Sequence, residues 1–480
     1  MKLRSLLEGV AVRSCGADPD LEIGDISYDS KTTHPGQMFV AVAGTASDGI
    51  YYINEAVENG AVCVVCDRPA KSGVPIILVD DARHALAEIS ANYFNHPDRE
   101  MTMVGITGTN GKTTVSYLVK HILETCGFGR VGLIGTIRNM VGTECLDTER
   151  TTPESYEVQS LLRRMAAAGC RYAVMEVSSH ALALSRVRGI RFSAAAFTNL
   201  TQDHLDFHGT MERYCDAKAE LFRRCDTAVC NLDDPWHERV LRGADCRRIY
   251  FGLDSGAQVQ ARDIGLHADH VTFTLSSQEE TVPVYLAIPG IFSVYNALTA
   301  LTVCRVLNVP FSDGAEALHS AEGAKGRMEV VPTPGKPYTV LIDYAHTPDA
   351  LENVLKTVRG FAAGRTVAVF GCGGDRDRSK RPQMGAIAGR LADFSVVTTD
   401  NPRTERPEDI IADVVRGFPP GAAFRTVTDR TEAIFYALST AKAGDVIVLC
   451  GKGHENYVEI NHKKFPLDER KIVAQYLKIE

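Results

Sequence analysis

The stretch 101-MTMVGITGTNGKTTVSYLVKHILE-124 decides how this chain is read. Met101 to Thr107 form an apolar run of the length of a buried strand. A glycine-rich turn follows, and Val115, Leu118, Val119 and Ile122 then recur at helical spacing. Strand, turn, Lys-Thr and helix make a phosphate cradle. Backbone N–H groups and a helix N-terminus face the anion, Lys112 brings a mobile positive charge, and the Thr113 hydroxyl suits Mg²⁺. Gly108, Thr109, Asn110, Gly111, Lys112, Thr113 and Thr114 are therefore the candidate ATP contacts. The common pattern G-x-x-x-x-G-K-[ST] is not met, because Ile106 stands where its first glycine should be. That departure points to a particular branch of ATP users.

Bulk properties narrow the classes. A length of 480 residues allows about three domains with well-buried cores. The net charge is −8 and the basic residues are scattered, which excludes nucleic acid as the main partner. No apolar segment approaches the ~20 residues that cross a membrane. The first twenty residues lack the apolar core of a signal peptide, so a cytoplasmic protein with no membrane partner is expected. The 13 cysteines are odd in number and sit in apolar segments, as reduced core thiols do. Cys63 and Cys66 have C-x-x-C spacing, but in a β-like run with no second ligand pair, so core packing is preferred to zinc.

Along the chain, residues 1–97 read as a small α/β unit with strands at 37–44, 61–67 and 75–80 and a helix at 52–60. Residues 98–325 alternate strand and helix, the pattern of a parallel sheet with crossover helices, and carry an antiparallel insertion near 257–287 and a helix from about 294 to 308. Residues 326–480 make a third α/β unit with strands at 338–345, 366–371, 395–400 and 445–451. The expected class is α/β in three domains: a central P-loop-type parallel sheet, a small N-terminal α/β domain, and a C-terminal Rossmann-like domain. Several strands end in polar residues, where open parallel sheets place ligands.

Two further strand ends point at the nucleotide. Glu176, in 174-VMEVSSH-180, follows an apolar strand and can serve as an acidic Mg²⁺ ligand beside Thr113; a capping or ion-paired carboxylate is the plainer alternative. The segment 197-FTNLTQDHLDFHGTMERYCDAKAELF-222 carries His204, His208 and Lys218. The two histidines are four apart, yet no Glu follows the first and no helix to present them is evident, so Mg²⁺ contact through His204 is preferred to zinc. Lys218 lies in a polar–apolar helical pattern, where a solvated surface lysine is the default.

G-T-N-G-K-T-T, M-E-V-S-S-H, T-N-L-T-Q-D-H-L-D-F-H and then A-K in the next helix resemble, in order and spacing, the Mur ligases. These are ATP-dependent amide-forming ligases of peptidoglycan precursor synthesis. The resemblance spans the chain. It includes 26-ISYDSKTTHPGQMFVAVAG-44, 48-DGIYYINEAVENGA-61, 151-TTPES-155, 326-GRMEV-330, 342-IDYAHTPDAL-351, 371-GCGGDRDRSKRP-382, 400-DNPR-403 and 451-GKGHE-455. It implies Lys112, Glu176, His204 and Lys218 as catalytic residues. It also implies Mg²⁺ held by Thr113, Glu176, His204 and Lys218 as its carbamate. A carbamate offers anionic oxygen where an ammonium cannot ligate a hard cation. It further implies Asn296, Arg327 and Asp343 as nucleotide contacts. For a UDP-sugar peptide, UDP-MurNAc-L-Ala-D-Glu, it implies Ser30, Thr45, Ala46, Ser47, Thr151, Thr152, Ser178 and Arg186. Leu184 stands where some relatives have Gln and is left out of the site.

The amino-acid pocket is implied to comprise Arg376, Asp400, Asn401, Pro402, Arg403, Gly451 and Glu455. D-N-P-R resembles the form found in diaminopimelate-adding members. meso-Diaminopimelate carries one more carboxylate than lysine, and Arg403 offers it a planar fork; with lysine that Arg would be unpaired. The implied reaction forms an acyl phosphate from ATP and the D-glutamyl carboxylate, which the amine then attacks, in a monomeric cytoplasmic enzyme. His204 is a candidate to accept the amine's proton. The competing readings are a lysine adder, a dipeptide adder, a folylpolyglutamate synthetase, and a non-catalytic nucleotide-binding protein of the same fold.

Overall fold

The computed structural model describes residues 1–44, 47–253 and 256–479. The chain divides into two compact units. One holds Met1–Val259 and Thr299–Pro310; the other holds Gln260–Leu298 and the chain from Phe311 onward.

The first unit contains two sheets. The N-terminal one has five strands in the order Val12–Cys15, Ile76–Val79, Cys63–Cys66, Gln37–Val40, Asp25–Ser27, parallel except for its antiparallel first edge. Strand alternation sends Met38, Val40, Cys63 and Val65 to one core, with Leu86 and Ile89 of the helix Ala82–Tyr93. It sends Phe39, Val64 and Cys66 to the other. Cys63 and Cys66 thus face opposite sides of one sheet and cannot share a metal.

The second sheet places the nucleotide strand at its centre. Its parallel strands run Arg247–Gly252, Cys225–Asn231, Phe192–Phe197, Thr102–Thr107, Tyr172–Glu176, Val131–Ile134. Two antiparallel strands, Asn139–Val141 and Glu144–Leu146, follow at one end. Thr102–Thr107 is expected from its apolar run; Val131–Ile134 and Arg247–Gly252 were too short or too polar at their starts to stand out. The strand Phe192–Phe197 ends before Thr198, freeing Thr198 to Leu200 for the loop beside the glycine turn. From Thr102–Thr107 the chain passes to one side of the sheet, and after Tyr172–Glu176 it crosses to the other. That reversal opens a crevice at the carboxyl ends of the central strands.

The helix Lys112–Thr125 lies against this sheet because Val115, Leu118, Val119 and Ile122 are all at most 1% exposed. Each contributes roughly 1.5–3 kcal/mol by burial.

The second unit contains an antiparallel meander, Val259–Leu266, Val271–Ser276 and Thr281–Leu286, where an insertion was expected. Its main sheet has six strands in the order Glu329–Val331, Thr339–Asp343, Val446–Cys450, Thr366–Phe370, Phe394–Val397, Phe424–Thr426. All are parallel but the first. A two-stranded hairpin, Tyr457–Ile460 with Lys463–Pro466, stands apart. Among the described residues no helix is long and apolar enough to cross a membrane.

Candidate active site

The glycine loop is shaped by contacts that only glycine permits. Gly108 has φ +149°, and a Cβ there would lie 1.9 Å from the Thr198 hydroxyl. Gly111 has φ +86° and occupies the N-cap of Lys112–Thr125, where no side chain caps the helix and its N-terminal end faces the loop. The neighbouring strand end laces the loop in place. Thr109 N–H donates to Asn199 O (2.8 Å), Asn110 N–H to Asn199 Oδ1 (3.0 Å), and the Thr198 hydroxyl to Asn110 O (2.6 Å). Lys112 folds back, its Nζ donating to the Gly108 and Thr109 carbonyls at 2.9 and 2.8 Å. Thr113 and Thr114 are buried in the first helical turn.

Glu176 ends its strand fully buried. Its carboxylate accepts from the Thr113 hydroxyl (2.8 Å), the Thr136 hydroxyl (2.9 Å) and Thr136 N–H (2.9 Å). Gly135 makes room for it, since a Cβ there would come within 2.3 Å of Oε1. Among the described residues no lysine or arginine pairs with Glu176. Its carboxylate is thus held by two hydroxyls and one backbone N–H.

Lys218 overturns the surface default. It is 1% exposed on the helix Met211–Phe222, with Nζ donating to Gly108 O at 2.9 Å and lying 4.4 Å from the centre of the Tyr214 ring. Burial, reinforced by the nearby Lys112, holds its amine well below the usual lysine range. His204, at φ +53°, precedes the short helix Leu205–His208. Its ring meets His180 edge-on at 4.8 Å and Tyr214 at 6.1 Å. His208 is buried with Nε2 2.9 Å from the Ser179 hydroxyl, and burial with the neighbouring His180 pushes its pKa down to about 4.

A chain of hydroxyls leads from this centre to the residues implied for the sugar peptide. Thr151 Oγ1 is 3.0 Å from Thr136 Oγ1, and the Thr152 hydroxyl donates to the Glu176 carbonyl at 2.7 Å. Ser178 N–H donates to Thr152 Oγ1 (3.1 Å), and Arg186 Nη1 to the Thr152 carbonyl (3.0 Å). Arg186 also pairs with Glu154 at 2.8 Å, where Arg150 (3.1 Å) and Arg83 (3.4 Å) converge. Three arginines around one carboxylate leave an excess of positive charge suited to an acidic ligand. Ser30 is buried, donating to Glu55 Oε2 at 2.5 Å, and with Ser47 it lines a cavity of ≈ 360 Å³ that reaches Arg83 and Arg150. Thr45 and Ala46 lie outside the described residues.

In the second unit, Asn296 is buried on the helix Ile291–Val306. Asp343 is buried at a strand end, accepting from Met328 and Ala345 N–H at 2.8 and 2.9 Å, and burial raises its pKa. The Arg327 guanidinium lies 5.2 Å from the Tyr344 ring centre. Asp400 and Asn401 are buried beyond the strand Phe394–Val397. Burial pushes Asp400 up, but Lys452 and Arg430 outweigh it and hold the carboxyl below its usual range. Asn401 Nδ2 donates to Glu455 Oε2 at 2.9 Å, and Gly451 has φ +113° with its Cβ direction 3.2 Å from Asp400. Pro402 packs on the 371–378 loop, where a Cβ on Gly374 would strike its carbonyl at 1.9 Å. Arg403 donates from Nε to Glu459 Oε2 (3.0 Å) and from Nη1 to Gly374 O (2.8 Å). Arg376 is exposed on the same loop.

Several participants escaped the sequence reading. Thr136, Thr198, Asn199, Glu154 and Arg83 are ordinary polar residues whose role depends on tertiary register. Lys452 lay inside the quoted G-K-G-H-E. It is fully buried, and its Nζ donates to Asn401 Oδ1 (2.6 Å) and Tyr457 O (2.8 Å).

A parallel sheet with an uncapped glycine-loop helix, a buried carboxylate on the helix's first threonine and a buried lysine on the loop defines a nucleotide-using enzyme. Three family profiles cover most of the chain: the Mur ligase family catalytic domain over residues 22–94, the Mur ligase middle domain over 106–304, and the Mur ligase glutamate ligase domain over 326–453. The UDP-N-acetylmuramoyl-L-alanyl-D-glutamate–2,6-diaminopimelate ligase of Caldanaerobacter subterraneus subsp. tengcongensis is 46% identical over 99% of both chains. The like-named protein of Clostridium botulinum is 43% identical over 95% of both. A solved structure of a ligase of that name superposes with TM-score 0.75 at 31% identity, covering 100% of this chain and 99% of that one. The chain belongs to the Mur ligase family, whose members are ATP-dependent amide-forming ligases.

Proposed function

We propose that this chain joins meso-diaminopimelate to the D-glutamyl γ-carboxylate of UDP-MurNAc-L-Ala-D-Glu, with ATP converted to ADP and phosphate, in cytoplasmic peptidoglycan precursor synthesis. The observation that carries the reading is the buried Glu176–Thr113 pair at the head of the phosphate helix, in a chain 46% identical to such a ligase along its length. Its working division is three domains, 1–97 for the UDP-sugar, 98–325 for ATP and 326–480 for the amino acid, acting as a monomer.

The donor set suits a hard divalent cation: a fully buried carboxylate with no basic partner among the described residues, flanked by hydroxyl oxygens. Thr113, Glu176, His204 and a carbamate on Lys218 are the residues proposed to hold Mg²⁺. When bound, Mg²⁺ supplies charge neutralisation to the phosphates. The lowered amine supports the carbamate: a neutral Lys218 would add to CO₂ through its lone pair and release one proton.

The glycine-loop N–H groups and Lys112 orient the γ-phosphate. Two anions must meet in the first step, so positioning and charge neutralisation dominate. The γ-carboxylate attacks phosphorus, ADP departs, and the acyl phosphate forms. Arg186, Thr152 and Ser178 hold the peptide end of the sugar substrate. The diaminopimelate amine then attacks the acyl carbon, phosphate leaves, and His204 is the candidate proposed to take the released proton. Asn296, Arg327 and Asp343 are assigned to the nucleotide by family resemblance. Arg403 and Arg376 are assigned to the carboxylate that lysine lacks, Glu455 and the Gly451 carbonyl to an ammonium, and Asp400, Asn401 and Pro402 to the frame around them.

The test is phosphate release that requires both the UDP-sugar dipeptide and an amino acid, run with diaminopimelate isomers, L-lysine and L-ornithine. Release with meso-diaminopimelate alone is expected. Efficient lysine use would overturn the assignment.

A further inference from the structure

Arg403 does not stand alone in the second unit. Its guanidinium is fixed by Glu459, which accepts from Nε at 3.0 Å, and by the Gly374 carbonyl on Nη1 at 2.8 Å. Both charged side chains are largely buried, 19% and 22% exposed. The backbone repeats the pairing: Arg403 N–H donates to Glu459 O (3.0 Å) and Asn461 N–H to Arg403 O (2.9 Å), with Arg403 held at φ +51°. Glu459 N–H in turn donates to Asn401 Oδ1 at 2.9 Å, the oxygen that Lys452 also holds. The hairpin strand Tyr457–Ile460 is therefore clamped along the D-N-P-R segment.

A free arginine at φ > 0 would sample many rotamers, and ordering it on binding costs free energy. The Glu459 contact engages Nε, and among the described residues Nη2 makes no hydrogen bond, so the terminal edge of the fork remains for a carboxylate. We infer that Glu459 is a positioning residue for amino-acid selection: it aims the Arg403 fork at the second carboxylate of diaminopimelate. The inference rests on the function proposed above. Glu459 touches the selecting arginine and is given no role in the chemistry.

A double-mutant cycle on the full-length protein tests it. With saturating ATP and UDP-sugar dipeptide, Glu459→Ala is expected to raise KM for meso-diaminopimelate about tenfold while leaving kcat and KM for ATP unchanged. Glu459→Gln, which keeps a neutral acceptor, should fall between Ala and wild type. In an Arg403→Ala background, Glu459→Ala should have no further effect on that KM. Thermal melts report folding, and Glu459→Gln carries the cycle if the Ala variant does not fold. An unchanged diaminopimelate KM in both single variants, or an equal rise with and without Arg403, overturns the role of Glu459 alone. A wild type that ignores diaminopimelate overturns the parent reading, and this one with it.

Discussion

Lys112 and Lys218 place their Nζ atoms on one acceptor, the Gly108 carbonyl, each at 2.9 Å. One lysine comes from the phosphate loop itself and the other from a helix far along the chain. Burial first, and then the neighbouring positive charge of Lys112, hold the Lys218 amine well below the usual lysine range. The loop thus closes on a buried lysine whose amine loses its proton more easily than an exposed one.

Replacing Lys218 by Met separates packing from chemistry. Methionine fills much of the same volume and removes a poorly paired buried amine, while Gly108 O keeps Lys112. We expect melting at or above the wild-type temperature, with kcat reduced at least about a hundredfold. Carbon-13 NMR under labelled CO₂ should give a carbamate signal in wild type and none in the variant. A variant retaining wild-type kcat would remove Lys218 from the mechanism.

Gly108→Ala tests the loop's dependence on glycine. Its Cβ would fall 1.9 Å from Thr198 Oγ1, at φ +149°. The backbone strain alone costs about 1–3 kcal/mol. A lower melting temperature and weakened ATP binding by calorimetry are expected. Adding Thr198→Ala should relieve the clash but not the strain, so recovery should be partial; full recovery would refute the backbone argument.

How much of this was legible follows from range. The strand Thr102–Thr107 and the helix after it declared themselves through an unbroken apolar run and a 3.6-residue period, both local signals. The positions of Glu176 and Asp400 near strand ends were legible for the same reason. Lys218 was not, because its helix reads as amphipathic and only the sheet beneath decides that this lysine points at Gly108. Glu459 was invisible, and Thr198 and Asn199, though inside the quoted T-N-L-T-Q-D-H run, had no assignable contacts, because their partners come from register between elements distant in sequence. Cys63 and Cys66 needed only strand alternation, which puts residues three apart on opposite faces.

His208 makes an acid-side prediction. Its folded pKa is depressed to about 4 from 6.5 by burial and by His180, Lys218 and His204, with Asp206 opposing. The folded state therefore binds fewer protons than the unfolded one in this window. Its contribution to stability is fully present above pH 6.5 and is lost as pH falls through 4. Melting temperature followed across that range should fall less steeply in His208→Gln, which cannot take up the proton. Parallel curves for the two proteins would show that His208 does not titrate on unfolding.

Glu176→Gln isolates charge from shape at the centre of the site. The amide keeps the length of the side chain, and its one oxygen can still accept from the Thr113 and Thr136 hydroxyls, both on Oε2 at 2.8 and 2.9 Å. Its NH₂ then faces Thr136 N–H, which donates to Oε1 at 2.9 Å. Among the described residues the carboxylate has no cationic partner, so the gain from removing a buried charge offsets the lost Thr136 acceptor and the melting temperature should change little. The anionic oxygen suited to Mg²⁺ is gone, so the Mg²⁺ concentration for half-maximal activity should rise and kcat fall by about 10²–10³-fold. Binding of the UDP-sugar dipeptide should change little, because Thr152 contacts the Glu176 carbonyl rather than its carboxylate. If Mg²⁺ titrations of variant and wild type coincide, Glu176 serves only to hold Thr113 and Thr136 in place.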